Sequence, residues 1–281
     1  MKDFFKYQGK ICIVTGAASG MGKATTEMLV ELGAKVYALD YAEVKTEGIE
    51  KFIQVNLSQK EQIDKAFESI PKEIDSYFGI AGVSGESHNF TTTLTINFLA
   101  NKYITDAYLK DRMKENGSIV YITSMGGQYW ENYLEETKPL VEAKGWEETI
   151  QAIEALNVTY RVGAIAYMLS KRAMNHYASD RVEDFIKRKV RINYVMPAMT
   201  ITGLTDEFAK MKGGTDNLVT GLADRLATAE EMAAPLVFLN SEMASYISGV
   251  GLVIDSGNTV MEILSKYEKR TNFPMIQPVN S

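Results

Sequence analysis

Seven short apolar runs, rich in β-branched and aromatic residues, recur along the chain and alternate with stretches of helical periodicity. The runs are KICIVTG, AKVYALD, KFIQVNL, SYFGIAG, SIVYITS, VRINYVMP and GVGLVID. Strands that alternate with helices typically form a parallel sheet with helices on both faces. This alternation therefore predicts a doubly wound α/β fold with seven parallel strands.

The chain of 281 residues shows no linker, repeat or low-complexity tract, so we expect a single domain over residues 1–281. About forty residues, an insertion at about 125–163, separate the SIVYITS run from the next long helical pattern. Ile150, Ile153 and Leu156 predict a short amphipathic helix within it. Residues of about 259–281 form a C-terminal extension.

Composition excludes several classes of protein. The formal net charge of −6 and a single short basic cluster, KRKVR, argue against a nucleic-acid partner. No apolar run reaches about 18 residues, so no membrane association is expected. The one cysteine, Cys12, suits a buried apolar position, and metal-ligand spacings are absent, so we predict no metal. A cytoplasmic location fits these features.

The first strand leads into the glycine-rich turn TGAASGMG, residues 15–22, and then into a helical pattern. Glycines there allow the backbone to approach a pyrophosphate at the N-terminus of a helix, as in the Rossmann fold. Asp40 ends the second strand, where a carboxylate binds ribose hydroxyls and repels a 2′-phosphate. The pattern predicts NAD as cofactor. The alternatives are a plain tight turn and an Asp that caps a loop.

Tyr167 and Lys171 stand four residues apart in YMLSK, a spacing that places two side chains on one helix face. A tyrosine has a reference pKa of about 10. A positive charge about 4 Å away favours the phenolate by about 4 kcal/mol at an effective dielectric constant of about 20. This would bring the phenol towards neutral pH. The alternative is a half-buried tyrosine beside a solvated lysine.

Together, TGAASGMG and YMLSK resemble the TGxxxGxG and YxxxK motifs of the short-chain dehydrogenase/reductase family, over roughly residues 8–258. The resemblance implies that Tyr167 is the general acid/base and that Lys171 lowers its pKa and holds the nicotinamide ribose. It implies that Ser124 binds the substrate oxygen. Asn97 matches a residue of the family's water-linked proton relay.

The resemblance also implies a set of cofactor-binding residues along the sheet edge. They are Gly16, Ser19, Gly20, Met21, Gly22, Asp40, Asn56, Leu57, Ala81, Gly82, Tyr167, Lys171, Pro197, Thr200 and Thr202. Two positions depart from the family pattern: Ile80 replaces an asparagine, and Ala198 replaces a glycine. Thr200 and Thr202 compete for one role.

The expected reaction is hydride transfer between a secondary alcohol and NAD. The long segment between Ser124 and Tyr167 resembles that of bacterial 3α-hydroxysteroid dehydrogenase/carbonyl reductases, which implies a hydroxysteroid or bile acid as substrate. One alternative is a carbonyl reductase for other apolar ketones. Another is a non-catalytic dinucleotide-binding sensor or scaffold. An enoyl reductase spaces Tyr and Lys more widely, and GVSGE falls short of the GxSxG of serine hydrolases.

Substrate contacts are expected from Ser124 and Tyr167 and, among apolar residues, from Met125 and Met199. The segment after Pro197 and the insertion supply further apolar candidates: Leu204, Phe208, Met211, Tyr129, Trp130, Tyr133 and Trp146. The aromatic side chains of the insertion could instead pack the insertion onto the body of the protein. Family resemblance implies a homodimer or homotetramer.

Overall fold

Seven parallel strands form one sheet in the computed structural model, which describes residues 4–158, 162–214, 218–219, 222–266 and 275. The strand order is β3-β2-β1-β4-β5-β6-β7. Their bounds are β1 (Ile11–Thr15), β2 (Lys35–Asp40), β3 (Lys51–Gln54), β4 (Ile74–Gly79), β5 (Met113–Ile122), β6 (Arg191–Pro197) and β7 (Gly251–Ile254). Each overlaps one of the seven apolar runs, so the predicted fold is confirmed.

Helices cover both faces of this sheet. They are α1 (Gly20–Glu31), α2 (Lys60–Glu68), α3 (Phe90–Leu94), α4 (Ala100–Ile104), α5 (Lys110–Arg112), α6 (Leu134–Glu142), α7 (Gly145–Ala155), α8 (Gly163–Asp180), α9 (Val182–Ile186), α10 (Thr205–Lys212), α11 (Ala229–Asn240) and α12 (Asn258–Ile263). Successive β1 side chains enter two different core clusters, Ile13 one and Cys12 and Val14 the other. This alternation follows from the pleat of a strand and produces a core on each face.

The insertion contains two short 3₁₀ turns followed by α6 and α7. Helix α7 contains Ile150 and Ile153, which confirms the predicted amphipathic helix. The sequence did not predict α6, which has Pro139 in its interior. Trp146 lies edge-to-face on Tyr103, and Trp130 stacks on His176. Both tryptophans therefore pack the insertion onto the body, which was the alternative to a substrate contact.

A buried ion pair fixes the insertion to the helix that carries Tyr167. Glu136 of α6 lies 3.1 Å from Arg172 of α8, and both side chains are buried. The backbone N–H of Met275, in the C-terminal extension, donates to the second carboxylate oxygen of Glu136 at 2.8 Å. Three distant segments of the chain thus meet at one carboxylate.

In the described ranges, no helix has the length and apolar character needed to cross a membrane. The same part of the chain holds no group of three or more His, Cys, Asp or Glu side chains arranged to bind a metal ion.

Candidate active site

The candidate site residues gather where the parallel strands end. Strand order reverses between β1 and β4, and crevices outside the carboxyl ends of strands at such a point bind ligands in open α/β sheets. Gly82 lies just after β4 and Ser124 just after β5, while Tyr167 and Lys171 project from α8.

The glycine-rich turn after β1 is tightly built. Gly16 adopts φ 73°, and a Cβ there would lie 2.8 Å from Cα of Ala81. A Cβ on Gly22 would overlap the carbonyl of Gly16. Only glycine fits either position, and this is what lets the turn pack so closely on Ala81 and on itself.

The N-terminus of α1 is free to bind an anion. Ser19 precedes the helix, is exposed and forms no side-chain capping hydrogen bond, and the first turn has no acidic residue. The backbone N–H groups and the positive end of the helix dipole therefore face the site. Met21 follows in the first turn, partly buried against the second core cluster. These features fit the pyrophosphate of a dinucleotide.

Thr15 braces β1 against β4. Its hydroxyl oxygen accepts hydrogen bonds from the N–H groups of Ile80 at 3.0 Å and Ala81 at 3.2 Å. The Ile80 side chain, at the position where the family pattern has an asparagine, is buried in the second core cluster. The threonine hydroxyl thus supplies a polar link between the two central strands.

Asp40 lies at the end of β2 beside the glycine-rich turn. One carboxylate oxygen accepts a hydrogen bond from the N–H of Ala18 at 3.0 Å, and the other accepts from the N–H of Ala42 at 2.9 Å. The carboxylate is therefore held in a fixed orientation next to the turn that would bind the pyrophosphate.

Asn56 and Leu57 follow β3 and are largely engaged with the protein. The Asn56 side-chain oxygen accepts hydrogen bonds from the N–H and hydroxyl groups of Ser58. The side chain of Leu57 is buried in the first core cluster. A cofactor contact by Leu57 would therefore use its backbone.

The two threonines after Pro197 differ in orientation. The Thr200 hydroxyl donates to the carbonyl of Ala198 at 2.9 Å. Thr202 approaches the glycine-rich turn, since a Cβ on Gly20 would lie 3.2 Å from its side chain. This arrangement favours Thr202 as the threonine that faces a cofactor.

The three residues that the sequence assigns to catalysis converge. The hydroxyl of Ser124 lies close enough to the phenol of Tyr167 to lower its pKa. Lys171 is buried, its Nζ lies 5.4 Å from the centroid of the Tyr167 ring, and it donates to the carbonyl of Ile122 at 3.4 Å. The Ser124 oxygen also accepts from the N–H of Gly126 at 3.1 Å, which fixes its rotamer.

Burial dominates the ionisation of this group. It raises the pKa of Tyr167, and the hydrogen bond with Ser124 offsets part of that change. It lowers the pKa of Lys171 to about 8. The expected fall of the phenol pKa towards neutrality is therefore wrong for the chain alone, because the loss of hydration on burial is the largest effect on it.

Asn97 lies in a π-helical segment, Thr95–Leu99, that joins α3 to α4. Its amide accepts from the N–H of Val83 at 2.8 Å and donates to the carbonyl of Val83 at 2.9 Å. It also donates to the hydroxyl of Ser170 at 3.2 Å. Ser170 was not singled out from the sequence, although it directly precedes Lys171 in YMLSK.

Gly82 brings Asn97 close to the buried lysine. A Cβ on Gly82 would lie 3.2 Å from Oδ1 of Asn97 and 3.5 Å from Nζ of Lys171. The absence of a side chain at residue 82 therefore leaves space between these two polar groups.

The apolar candidates occupy different places. Met125 is buried in the first core cluster. Met199 lines a cavity of about 230 Å³ at the ends of β6 and β7, and the described lining includes none of Ser124, Tyr167 and Lys171. Phe208 of α10 contacts Tyr167 edge-to-face, with 5.3 Å between ring centroids. The side chain of Met211 lies outside the described residues.

Replacing the buried lysine should stabilise the protein. Lys171→Met removes an ammonium that burial disfavours, so at pH 7 the free energy of unfolding should rise by up to about 3 kcal/mol. The lowered pKa means that the unfolded chain binds more protons between pH 8 and 10.5. Native stability therefore rises with pH in that window, and the advantage of Lys171→Met shrinks.

Urea unfolding at several pH values measures this difference. Lys138→Met, at an exposed position of α6, is the control and should change the free energy of unfolding by less than about 0.5 kcal/mol. A Lys171→Met protein that is less stable than the native protein at pH 7 would contradict the cost assigned to burial.

Comparison with known proteins identifies two matching family profiles. One, described as short chain dehydrogenase, matches residues 10–134. The other, described as Enoyl-(Acyl carrier protein) reductase, matches residues 132–259. Together they span the sheet from β1 to β7.

Curated relatives and solved structures agree with the profiles. The chain is 30% identical over 250 residues to a coniferyl-alcohol dehydrogenase of Pseudomonas sp. strain HR199, covering 88% of this chain and 96% of the relative. It is 28% identical over 273 residues to an NAD-dependent glycerol dehydrogenase of Listeria innocua, covering 92% and 97%.

A crystal structure of the 3-alpha-hydroxysteroid dehydrogenase from Pseudomonas sp. B-0831, complexed with NADH, has the same fold. Its TM-score is 0.76 at 22% identity, covering 92% of this chain and 100% of that one. The profiles and the relative at 30% identity establish more than the fold: this chain belongs to the short-chain dehydrogenase/reductase family of oxidoreductases, which bind a nicotinamide dinucleotide.

Proposed function

We propose that this protein is an NAD-dependent dehydrogenase that interconverts an apolar alcohol and its carbonyl compound by hydride transfer. The convergence of Ser124, Tyr167 and Lys171 is the observation that carries this proposal. Lys171 lies near Gly82, and the neighbouring Ala81 packs on the glycine-rich turn. A dinucleotide-binding sensor or scaffold would need the turn, but it would have no use for these three side chains.

Each polar group has a distinct task in this reaction. Ser124 and Tyr167 hydrogen-bond the reacting oxygen and stabilise the charge that develops on it. Tyr167 accepts the hydroxyl proton during oxidation and returns it during reduction. Lys171, with a pKa of about 8, carries its charge near neutral pH and favours the phenolate. A nicotinamide cofactor, when bound, would supply the acceptor or donor of the hydride.

The preference for NAD rests on Asp40. Its carboxylate is fixed beside the turn by the N–H groups of Ala18 and Ala42. A 2′-phosphate placed near it would experience repulsion between like charges, whereas ribose hydroxyls would donate hydrogen bonds to it.

One substitution removes the charge of Asp40 and keeps one of the two hydrogen bonds that its carboxylate accepts. Asp40→Asn keeps an amide oxygen that can accept from Ala18 but removes the negative charge. We expect the ratio of kcat/KM with NAD to that with NADP to fall about tenfold or more. The amide nitrogen cannot accept from the N–H of Ala42, so thermal stability should fall, but this loss affects the reactions with both cofactors alike. Glu43→Gln, at a nearby exposed carboxylate, serves as the control. An unchanged ratio in Asp40→Asn would refute the assignment.

For the substrate we propose a bulky apolar alcohol or ketone, with a hydroxysteroid such as a bile acid as the first candidate. The aromatic ring of Phe208 against Tyr167 supports an apolar partner at the reacting centre. The likeness to a 3-alpha-hydroxysteroid dehydrogenase is one of fold. Reduction of other apolar ketones uses the same residues in the reverse direction.

A second candidate is an aromatic alcohol. It is favoured by the relative at 30% identity, which is named coniferyl-alcohol dehydrogenase. A planar substrate ring would also suit the edge-to-face packing that Phe208 already makes with Tyr167.

A direct kinetic comparison tests the substrate class. Oxidation of a 3α-hydroxy bile acid, coniferyl alcohol and glycerol is measured with NAD and with NADP, and reduction of the matching carbonyl compounds with NADH. We expect the highest kcat/KM with one of the two apolar alcohols and NAD. If glycerol is oxidised with the highest kcat/KM, the apolar proposal fails, and tight NAD binding without any turnover favours the sensor.

We further propose a cytoplasmic homodimer or homotetramer. Apolar side chains are exposed around the end of β7 and on α12, including Val250, Val260, Ile263 and Leu264. Such a surface suits contact with a second copy of the chain. Light scattering measures the assembly, and a monomer at micromolar concentration would contradict it.

A further inference from the structure

Two adjacent residues in the first turns of α10 contact two different parts of the active site. The carboxylate of Glu207 accepts a hydrogen bond from the hydroxyl of Ser84 and another, at 3.0 Å, from the hydroxyl of Ser87. The ring of Phe208 lies edge-to-face on Tyr167. Helix α10 therefore bridges from the loop after β4 to the proposed acid/base.

The loop that receives Glu207 is firmly attached to the body of the protein. Asn97 binds both backbone groups of Val83, the residue before Ser84. Gly85 packs so closely on Gly163, the first residue of α8, that a Cβ on either would overlap the backbone of the other. The loop is thus positioned by the same elements that position the catalytic side chains.

The contacts of Glu207 suit a reversible closure. Ser84 is fully buried, so its hydroxyl needs a partner inside the protein. Glu207 is only half-buried, and its carboxylate can exchange the two hydroxyls for water when α10 moves away. If α10 moved away, the Ser84 hydroxyl would also be exposed, and water would replace the hydrogen bonds lost by both groups.

We propose that Glu207 is a positioning residue that latches α10 to the loop after β4 and thereby holds Phe208 against Tyr167, closing the site around the substrate. The proposal rests on the proposed function, in which Tyr167 is the acid/base. Neither Glu207 nor Ser84 belongs to the glycine-rich turn or to the Ser124–Tyr167–Lys171 group. The latch therefore acts on substrate affinity and leaves cofactor binding and proton transfer intact.

Steady-state kinetics of Glu207→Ala tests the latch, with Asp206→Ala as the matched control. Asp206 is exposed in the same first turn of α10 and carries the same charge, so both changes weaken the helix dipole interaction equally. We expect Glu207→Ala to raise KM for the alcohol about tenfold, with the dissociation constant of NAD changed less than about twofold. Asp206→Ala should leave both constants near those of the native protein.

Two further variants separate latching from a general structural effect. Glu207→Gln keeps a carbonyl oxygen that accepts from a serine hydroxyl, so it should recover most of the substrate affinity. Ser84→Ala should raise KM as Glu207→Ala does, and the double variant should add little to either single change. An unchanged KM in Glu207→Ala, an equal effect of Asp206→Ala, or strict additivity with Ser84→Ala would each overturn the latch.

Hydrogen exchange of the α10 amides, measured with NAD and without substrate, keeps the latch separate from the proposed function. Faster exchange in Glu207→Ala and Ser84→Ala, but not in Asp206→Ala, supports the latch. If the native protein turns over none of the alcohols tested, that second result contradicts the proposed function but not the latch. If the native protein is active but hydrogen exchange in Glu207→Ala and Ser84→Ala is unchanged, the latch is contradicted and the proposed function is not.

Discussion

The burial of the Lys171 ammonium beside Tyr167 is the interaction on which the active site depends. Removing a charge from water is costly, and here the cost is visible in a lysine pKa of about 8. The carbonyl of Ile122, at the end of β5, partly compensates it. This unfavourable burial lies where the proposed mechanism requires a phenol to exchange a proton, and perturbed ionisation of this kind is typical of catalytic sites.

Sheet topology makes this burial possible. Parallel strands end at one edge, so loops after β4 and β5 reach the same face of α8. Gly82 leaves room between Asn97 and Lys171, and the π-helical segment aims the Asn97 amide at the backbone of Val83.

Local patterns in the sequence predicted the features that depend on local order. Alternating apolar runs predicted all seven strands, and the four-residue spacing in YMLSK predicted that Tyr167 and Lys171 share a face. Helix α6 was not predicted because Pro139 interrupts its helical sequence pattern. The helix is stabilised instead by the tertiary ion pair of Glu136 with Arg172. The direction of the Tyr167 pKa also could not be read from spacing, since it depends on burial by α10 and the body.

Contacts between distant segments were the least accessible to sequence reasoning. Ser84 and Glu207 are 123 positions apart, and neither belongs to a recognisable motif. The choice between Thr200 and Thr202 likewise required the position of Gly20 in space. In both cases the decisive quantity is the packing of one loop on another, which no periodicity encodes.

Deuterium transfer in the native and Tyr167→Phe proteins tests the role of Tyr167 most directly. An alcohol labelled at the carbinol carbon is oxidised with NAD, and the label is followed into the reduced cofactor. The native protein should deliver the deuterium to the nicotinamide, and Tyr167→Phe should bind NAD equally well but turn over at least about a hundredfold more slowly. Near-native turnover by a folded Tyr167→Phe protein, or deuterium released to water, would contradict this mechanism.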